Sequence, residues 1–144
     1  MRNKELEKLE VLVGSWEITL SDAWFLEPAG TEVHGTATGE WLGDAVLIVR
    51  IELEGETTFA IGRSDANDAY AALYHDDRGV CRVFAMTFDG GVWRLSREDP
   101  DFHQRFIADV EPRRIAGRWE ASEDEGRTWR KDFDLVFERV NSGS

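Results

Sequence analysis

From Ser15 almost to its end, the chain alternates apolar and polar residues with a period of two, broken at short intervals by turn residues. Successive side chains of a strand point to opposite faces, so this rhythm marks half-buried strands rather than helices. The runs fall at 15–25, 33–42, 45–54, 57–63, 69–75, 80–88, 91–97, 102–110, 113–121 and 128–139. Between them lie Gly43-Asp44, Glu54-Gly55-Glu56, Ser64 to Asp68, Asp76 to Gly79, Asp89-Gly90-Gly91, Asp99-Pro100-Asp101 and Ser122 to Gly126. Gly supplies positive φ in such turns, and Asn and Asp tolerate it. Asp89-Gly90 is the strongest hairpin signal of the set.

Links this short leave no room for crossover helices, so the strands pair antiparallel with their neighbours in sequence. A sheet of that many strands curls or closes, because an open one would expose two long edges. The expected fold is all-β, an antiparallel up-and-down barrel of about 8–10 strands with a short N-terminal helix. In that helix Leu6, Leu9 and Val13 form the apolar stripe, Asn3 is the cap and Gly14 the stop. A single stripe must pack on something, which makes the helix a plug for one end of the barrel.

A length of 144 residues fits one domain, expected over 1–140, with 141–144 a flexible polar tail. The net charge of −12 speaks against a nucleic-acid partner and against an anionic membrane surface, both of which need a basic face. No stretch has the length of a membrane span, and the charged opening segment, Met1 to Glu10, lacks the apolar core of a secretory leader, so a cytoplasmic location is expected. The one cysteine, Cys81, lies in the apolar run Val80 to Met86 and reads as a small buried hydrophobe.

Six Trp and eight Phe, against two Tyr and two Met, make the interior one of large flat rings. With Trp16 pointing in, Ile18 and Leu20 share its face. The same alternation turns inward Phe59 and Ile61, Tyr70 and Tyr74, Phe84 and Met86, Trp93 and Leu95, then Phe106, Trp119, Phe133, Leu135 and Phe137. Gly35, Ala37, Gly39, Ala72, Ala108 and Gly117 are small residues on those faces. Large rings opposed by small residues can fill a barrel or leave a cavity. Since a barrel of about ten strands is too wide for side chains alone to fill, a ligand-binding role implies a closed internal cavity of several hundred cubic ångströms. Two polar groups share the inward parity. Arg82 lies between Val80 and Phe84, and Gln104 lies between Phe102 and Phe106. A buried arginine is costly unless it pairs with a carboxylate, sits at the rim or meets an anionic guest. Tyr70 and Tyr74 are candidate donors at the same place.

Gly14-Ser15-Trp16, following a short helix and opening the first strand, resembles the Gly-x-Trp signature of the lipocalins and the wider calycins. The resemblance implies that Trp16 plugs one barrel end and that Arg139, closing the last strand, packs across its ring. Ile115 to Ser122, followed by Gly126-Arg127-Thr128-Trp129, is similar to the end of an uncharacterised bacterial lipocalin-like domain family with no settled activity. Two relatives fit less well. Fatty-acid-binding proteins anchor a carboxylate with Arg-x-Tyr on the last strand, where this chain has Phe137-Glu138-Arg139-Val140. Nitrobindin-like haem barrels need a proximal histidine late in the chain, and the last one here is His103, so neither haem nor another cofactor is expected.

No catalytic motif is legible. His34, His75 and His103 are scattered, Glu123-Asp124-Glu125 lacks calcium-loop spacing, and Gly35 to Gly39 lies in a strand rather than at a helix start. The leading expectation is a module that binds a small hydrophobic or aromatic molecule through Phe59, Tyr70, Tyr74, Arg82, Phe84, Trp93, Gln104, Phe106 and Trp119. The alternatives are a cavity enzyme acting on a hydrophobic substrate, or a ligand-free homodimer joined through Trp24-Phe25-Leu26, one of which must face outward if all three lie on a strand.

Overall fold

The structure is a computed structural model that describes residues 3–28 and 30–140. A turn of α-helix, α1 (Lys4–Glu7), runs into a 3-10 helix (Lys8–Leu12). Ten strands follow: β1 (Gly14–Ser21), β2 (Val33–Leu42), β3 (Val46–Glu52), β4 (Glu56–Ser64), β5 (Ala69–Asp76), β6 (Cys81–Asp89), β7 (Val92–Asp99), β8 (Phe102–Val110), β9 (Arg114–Ser122) and β10 (Arg130–Arg139). Each pairs antiparallel with its neighbours in sequence, and β1 pairs with β10, so the sheet closes into an up-and-down barrel.

The helix departs from its expected form. Its stripe is Leu6, Leu9 and Leu12, all buried, whereas Val13 is extended and only half-buried. Three residues per turn in the 3-10 segment align a spacing of three rather than four, which brings Leu12 under the helix. Asn3 caps α1 as expected, its side-chain oxygen accepting from the Glu5 amide at 2.8 Å.

The first strand is shorter than the alternation implied. Asp22 takes a φ of +50° and ends β1 at Ser21. Trp24, Phe25 and Leu26 therefore sit in the β1–β2 loop and not on a strand. Trp24 donates to Asp132 at 3.1 Å under the Arg130 guanidinium, and Phe25 meets the Phe133 ring edge-on at 5.9 Å. Cys81 is another correction: it is exposed. Arg82, Phe84 and Met86 take the inner face of β6, which sends Cys81 and Val83 outward by strict alternation. The four tail residues expected to be flexible lie outside the described residues.

At the helix end, the entry of β1 and the exit of β10 are tied together by one residue. Trp16 is opposite Arg139 across the β1–β10 seam. The Arg139 guanidinium lies 4.1 Å from the Trp16 ring centre, a cation–π stack. Its nitrogens donate to three backbone carbonyls: Val11 at 2.6 Å, Val13 at 2.7 Å and Pro112 at 2.7 Å. Trp16 returns its indole N–H to the Leu12 carbonyl at 3.2 Å. Gly14 makes the approach feasible: its φ is +124°, and a Cβ there would lie 2.5 Å from the Arg139 guanidinium.

Substituting Arg139 by Ala leaves those carbonyls without their donor and uncovers the indole, so urea unfolding should show a loss of about 3 kcal/mol. Lysine at 139 should restore little of it, because a single ammonium cannot bridge three diverging carbonyls while lying flat on a ring. Full recovery in Arg139→Lys would mean that charge, not the planar fork, closes the seam.

Candidate functional site at the open end of the barrel

The ten strands enclose two unlike halves. Near the helix the interior is filled. Trp93 meets Phe106 edge-on at 5.2 Å, Phe106 meets Trp119 at 5.0 Å, and Phe84 meets Trp119 at 5.7 Å. Gly117 gives Phe106 its place, since a Cβ there would fall 2.6 Å from that ring. Gly35 and Gly39 likewise let backbones approach: a Cβ at each would strike the Glu52 and Leu12 carbonyls respectively.

The other end, formed by the start of β4, β6, β8 and β10 and the finish of β3, β5 and β9, holds a cavity of about 240 Å³. Its wall is Ile51, Leu53, Phe59, Trp119, Phe133 and Leu135. Phe59 and Trp119 lie nearly parallel, with ring centres 6.4 Å apart and planes at 17°. Polar groups enter from the rim: Thr57, Tyr74, Arg78, Arg82 and Gln104. The expected interior cavity is thus smaller than several hundred cubic ångströms and lies at a mouth, because the aromatic chain occupies the rest. A larger depression of about 590 Å³ is a shallow surface hollow lined by the β1–β2 loop and Lys131.

The expected site residues divide between these halves. Phe59, Tyr74, Arg82, Gln104 and Trp119 meet at the cavity. Phe84 and Phe106 are buried beneath it as its floor. Trp93 and Tyr70 belong to the helix end: Tyr70 donates its hydroxyl to the Glu5 carbonyl under Arg63, so it is not a partner of Tyr74. Gly14, Trp16 and Arg139 form the opposite closure. Sequence reading missed Arg78, which reaches the rim from the β5–β6 turn, and Arg97, which shares the inward parity of Trp93 and Leu95 and is 8% exposed.

The rim's charges are arranged around Asp76 and Arg97. Asp76 accepts from Arg78 Nη2 at 2.5 Å and Nε at 3.0 Å, from the Tyr74 hydroxyl at 2.7 Å, and from the Arg78 and Val80 amides at 3.0 and 3.3 Å. The Arg78 guanidinium, then the Tyr74 hydroxyl, hold its carboxyl well below the usual carboxylate range. Burial, and then this bond to Asp76, push the Tyr74 hydroxyl up. Arg97 pairs with Asp99 at 2.7 Å and Asp101 at 3.1 Å. Arg82 has no carboxylate partner among the described residues; its guanidinium lies 5.6 Å from the Tyr74 ring centre and 5.1 Å from that of Phe102. Arg97 covers Phe102 at 4.5 Å. Among the described residues, two buried side-chain polar atoms lack a hydrogen-bond partner: Oε1 of Gln104, a residue that lines the cavity, and Nε1 of Trp93 in the packed half. No group of three or more His, Cys, Asp or Glu among the described residues is placed to hold a metal ion. Among the described residues no helix is long and apolar enough to cross a membrane.

No protein-family model matches the sequence, and no curated protein matches it. Among solved structures, the crystal structure of Rv2717c from M. tuberculosis is similar, with a TM-score of 0.67 over 98% of this chain and 100% of that one. At 11% identity that likeness carries the barrel fold alone.

The Asp76 hub has an acid signature. A carboxyl whose folded pKa is depressed contributes stability that is complete above its ordinary value of 3.8 and lost as pH falls through the folded value. Asp124, held at about 2 by the Thr128 hydroxyl and amide and by Ser122, acts in the same direction at the β9–β10 turn. Denaturant midpoints followed from about pH 4 down to about pH 2 should fall less steeply in Asp76→Asn than in the unaltered protein. Identical slopes would remove Asp76 as the source.

Proposed function

We propose that this chain is a binding protein that holds a small hydrophobic or aromatic molecule in the cavity at the open end of its barrel. The observation carrying this reading is the placement of that cavity: its walls are aliphatic and aromatic, and its few polar groups gather at one rim. Binding sites commonly combine such walls with a small number of orienting polar groups. At about 240 Å³ the cavity lies just below the usual range, which favours a guest of one or two rings. Phe59 and Trp119 offer near-parallel faces to such a ring.

The kinship we favour is with the lipocalin-like barrels, as one domain over 1–140. The Gly14-x-Trp16 signature and the Arg139 stack support it. We also favour a reducing, cytoplasm-type compartment, in keeping with an exposed cysteine that has no partner thiol in the chain.

A neutral probe, 2-naphthamide, tests the cavity directly. Present at about a hundred times its Kd, it should stabilise the protein by about 2.7 kcal/mol in thermal unfolding. Thr57→Trp fills the mouth and should abolish that gain. A gain of equal size in Thr57→Trp, or none in the unaltered protein, contradicts the reading.

A further inference from the structure

Resting on that reading, we propose that the guest is an acid: an aromatic molecule whose carboxylate is taken by Arg82 and whose N–H or O–H group is taken by Gln104. Three observations converge on it.

Arginines around the mouth are neutralised one by one, except Arg82. Arg78 is committed to Asp76, and Arg97 to Asp99 and Asp101. Each of those three carboxylates faces a guanidinium and offers an incoming anion little repulsion. Arg82 is half-buried on the cavity wall, and no carboxylate of the described residues reaches it. In a chain of net charge −12, an arginine left without an acidic partner at a cavity is a local exception.

The Arg82 guanidinium is also preorganised. The rings of Tyr74 and Phe102 flank it at 5.6 and 5.1 Å, and Phe102 is itself covered by Arg97. Aromatic faces steady the cation without using its N–H donors, which stay available for a planar acceptor. A carboxylate matches that fork with two parallel hydrogen bonds.

The third observation is Gln104. Gln104 lines the same cavity, and its side-chain oxygen is buried without a hydrogen-bond partner among the described residues. An unpaired buried acceptor carries a desolvation cost that a guest's N–H or O–H would relieve. Arg82 calls for an acceptor and Gln104 for a donor, so the guest class is a small aromatic acid bearing a hydroxyl or ring N–H.

Calorimetric titration of the whole protein with matched probes tests this. The pair 2-naphthoate and 2-naphthamide differs in charge and hardly in shape. The acid should bind about tenfold or more tightly than the amide, and rising salt should narrow the gap. Arg82→Met keeps an unbranched apolar stem between the rings, and it should bring the ratio of acid to amide affinity down to about one. Arg82→Lys should restore part of it. Among monohydroxylated 2-naphthoates, at least one isomer should gain affinity over the parent acid, and Gln104→Leu should cancel that gain. Equal binding of acid and amide, or a preference that survives Arg82→Met, overturns the anion assignment and leaves the cavity reading standing. If no isomer gains, the Gln104 assignment falls. If neither acid nor amide binds, the cavity reading fails and takes this inference with it.

Discussion

Closure of β1 against β10 is the constraint on which the rest of the molecule depends. Ten antiparallel strands left open would present two edges of unpaired N–H and C=O groups, and the inner aromatic face would have no opposite wall. Pairing Trp16 with Arg139 removes both edges at once. The arginine does more than stack. By donating to carbonyls at Val11, Val13 and Pro112, it binds the entry of the first strand, the exit of the last and the β8–β9 turn into one unit. These backbone groups are satisfied at the barrel end where the helix arrives, which lets Leu6, Leu9 and Leu12 seal it.

Sealing one end decides what the other can be. Rings and helix together fill the lower barrel, in a continuous run from Trp93 through Phe106 and Trp119 to Phe59 and Phe84. At the far end no helix arrives, and a wall of aliphatic and aromatic side chains opens to a polar rim that includes Arg78 and Arg82. Space remains only there. The packed half also gives the cavity a rigid floor, since Phe84 and Phe106 are nearly without exposure and meet Trp119 and Trp93, respectively, edge to face.

Alternation made the inner wall legible, because the face of a strand residue is decided locally by its parity. Trp16, Ile18 and Leu20 point inward for that reason, as do Phe59, Ile61, Phe84, Trp93 and Leu95. Parity says nothing about depth along the axis. Tyr70 and Tyr74 share a face of β5 but stand about 13 Å apart at strand rise, which places them at opposite ends. A smaller offset of two residues along β8 separates Trp93, which is opposite Ala108, from Trp119, which is opposite Phe106. Parity alone also exposes Cys81, which its apolar neighbours disguised. Arg97 escaped notice because a charged residue on an inward position reads as an edge of the strand; its burial depends on Asp99, two residues on along β7, and on Asp101 in the following turn. Nor could alternation locate the end of β1, where one residue at positive φ turns Trp24 and Phe25 into loop.

The unequal division of the interior is the central claim, and the tryptophan indole N–H resonances report on it directly. During titration with 2-naphthamide, the Trp119 signal should move, since that ring walls the cavity, while Trp16, corked beneath Arg139 at the far end, should hold still. A Trp16 signal that moves as much as that of Trp119, or a Trp119 signal that never moves, would contradict a guest held at the open mouth.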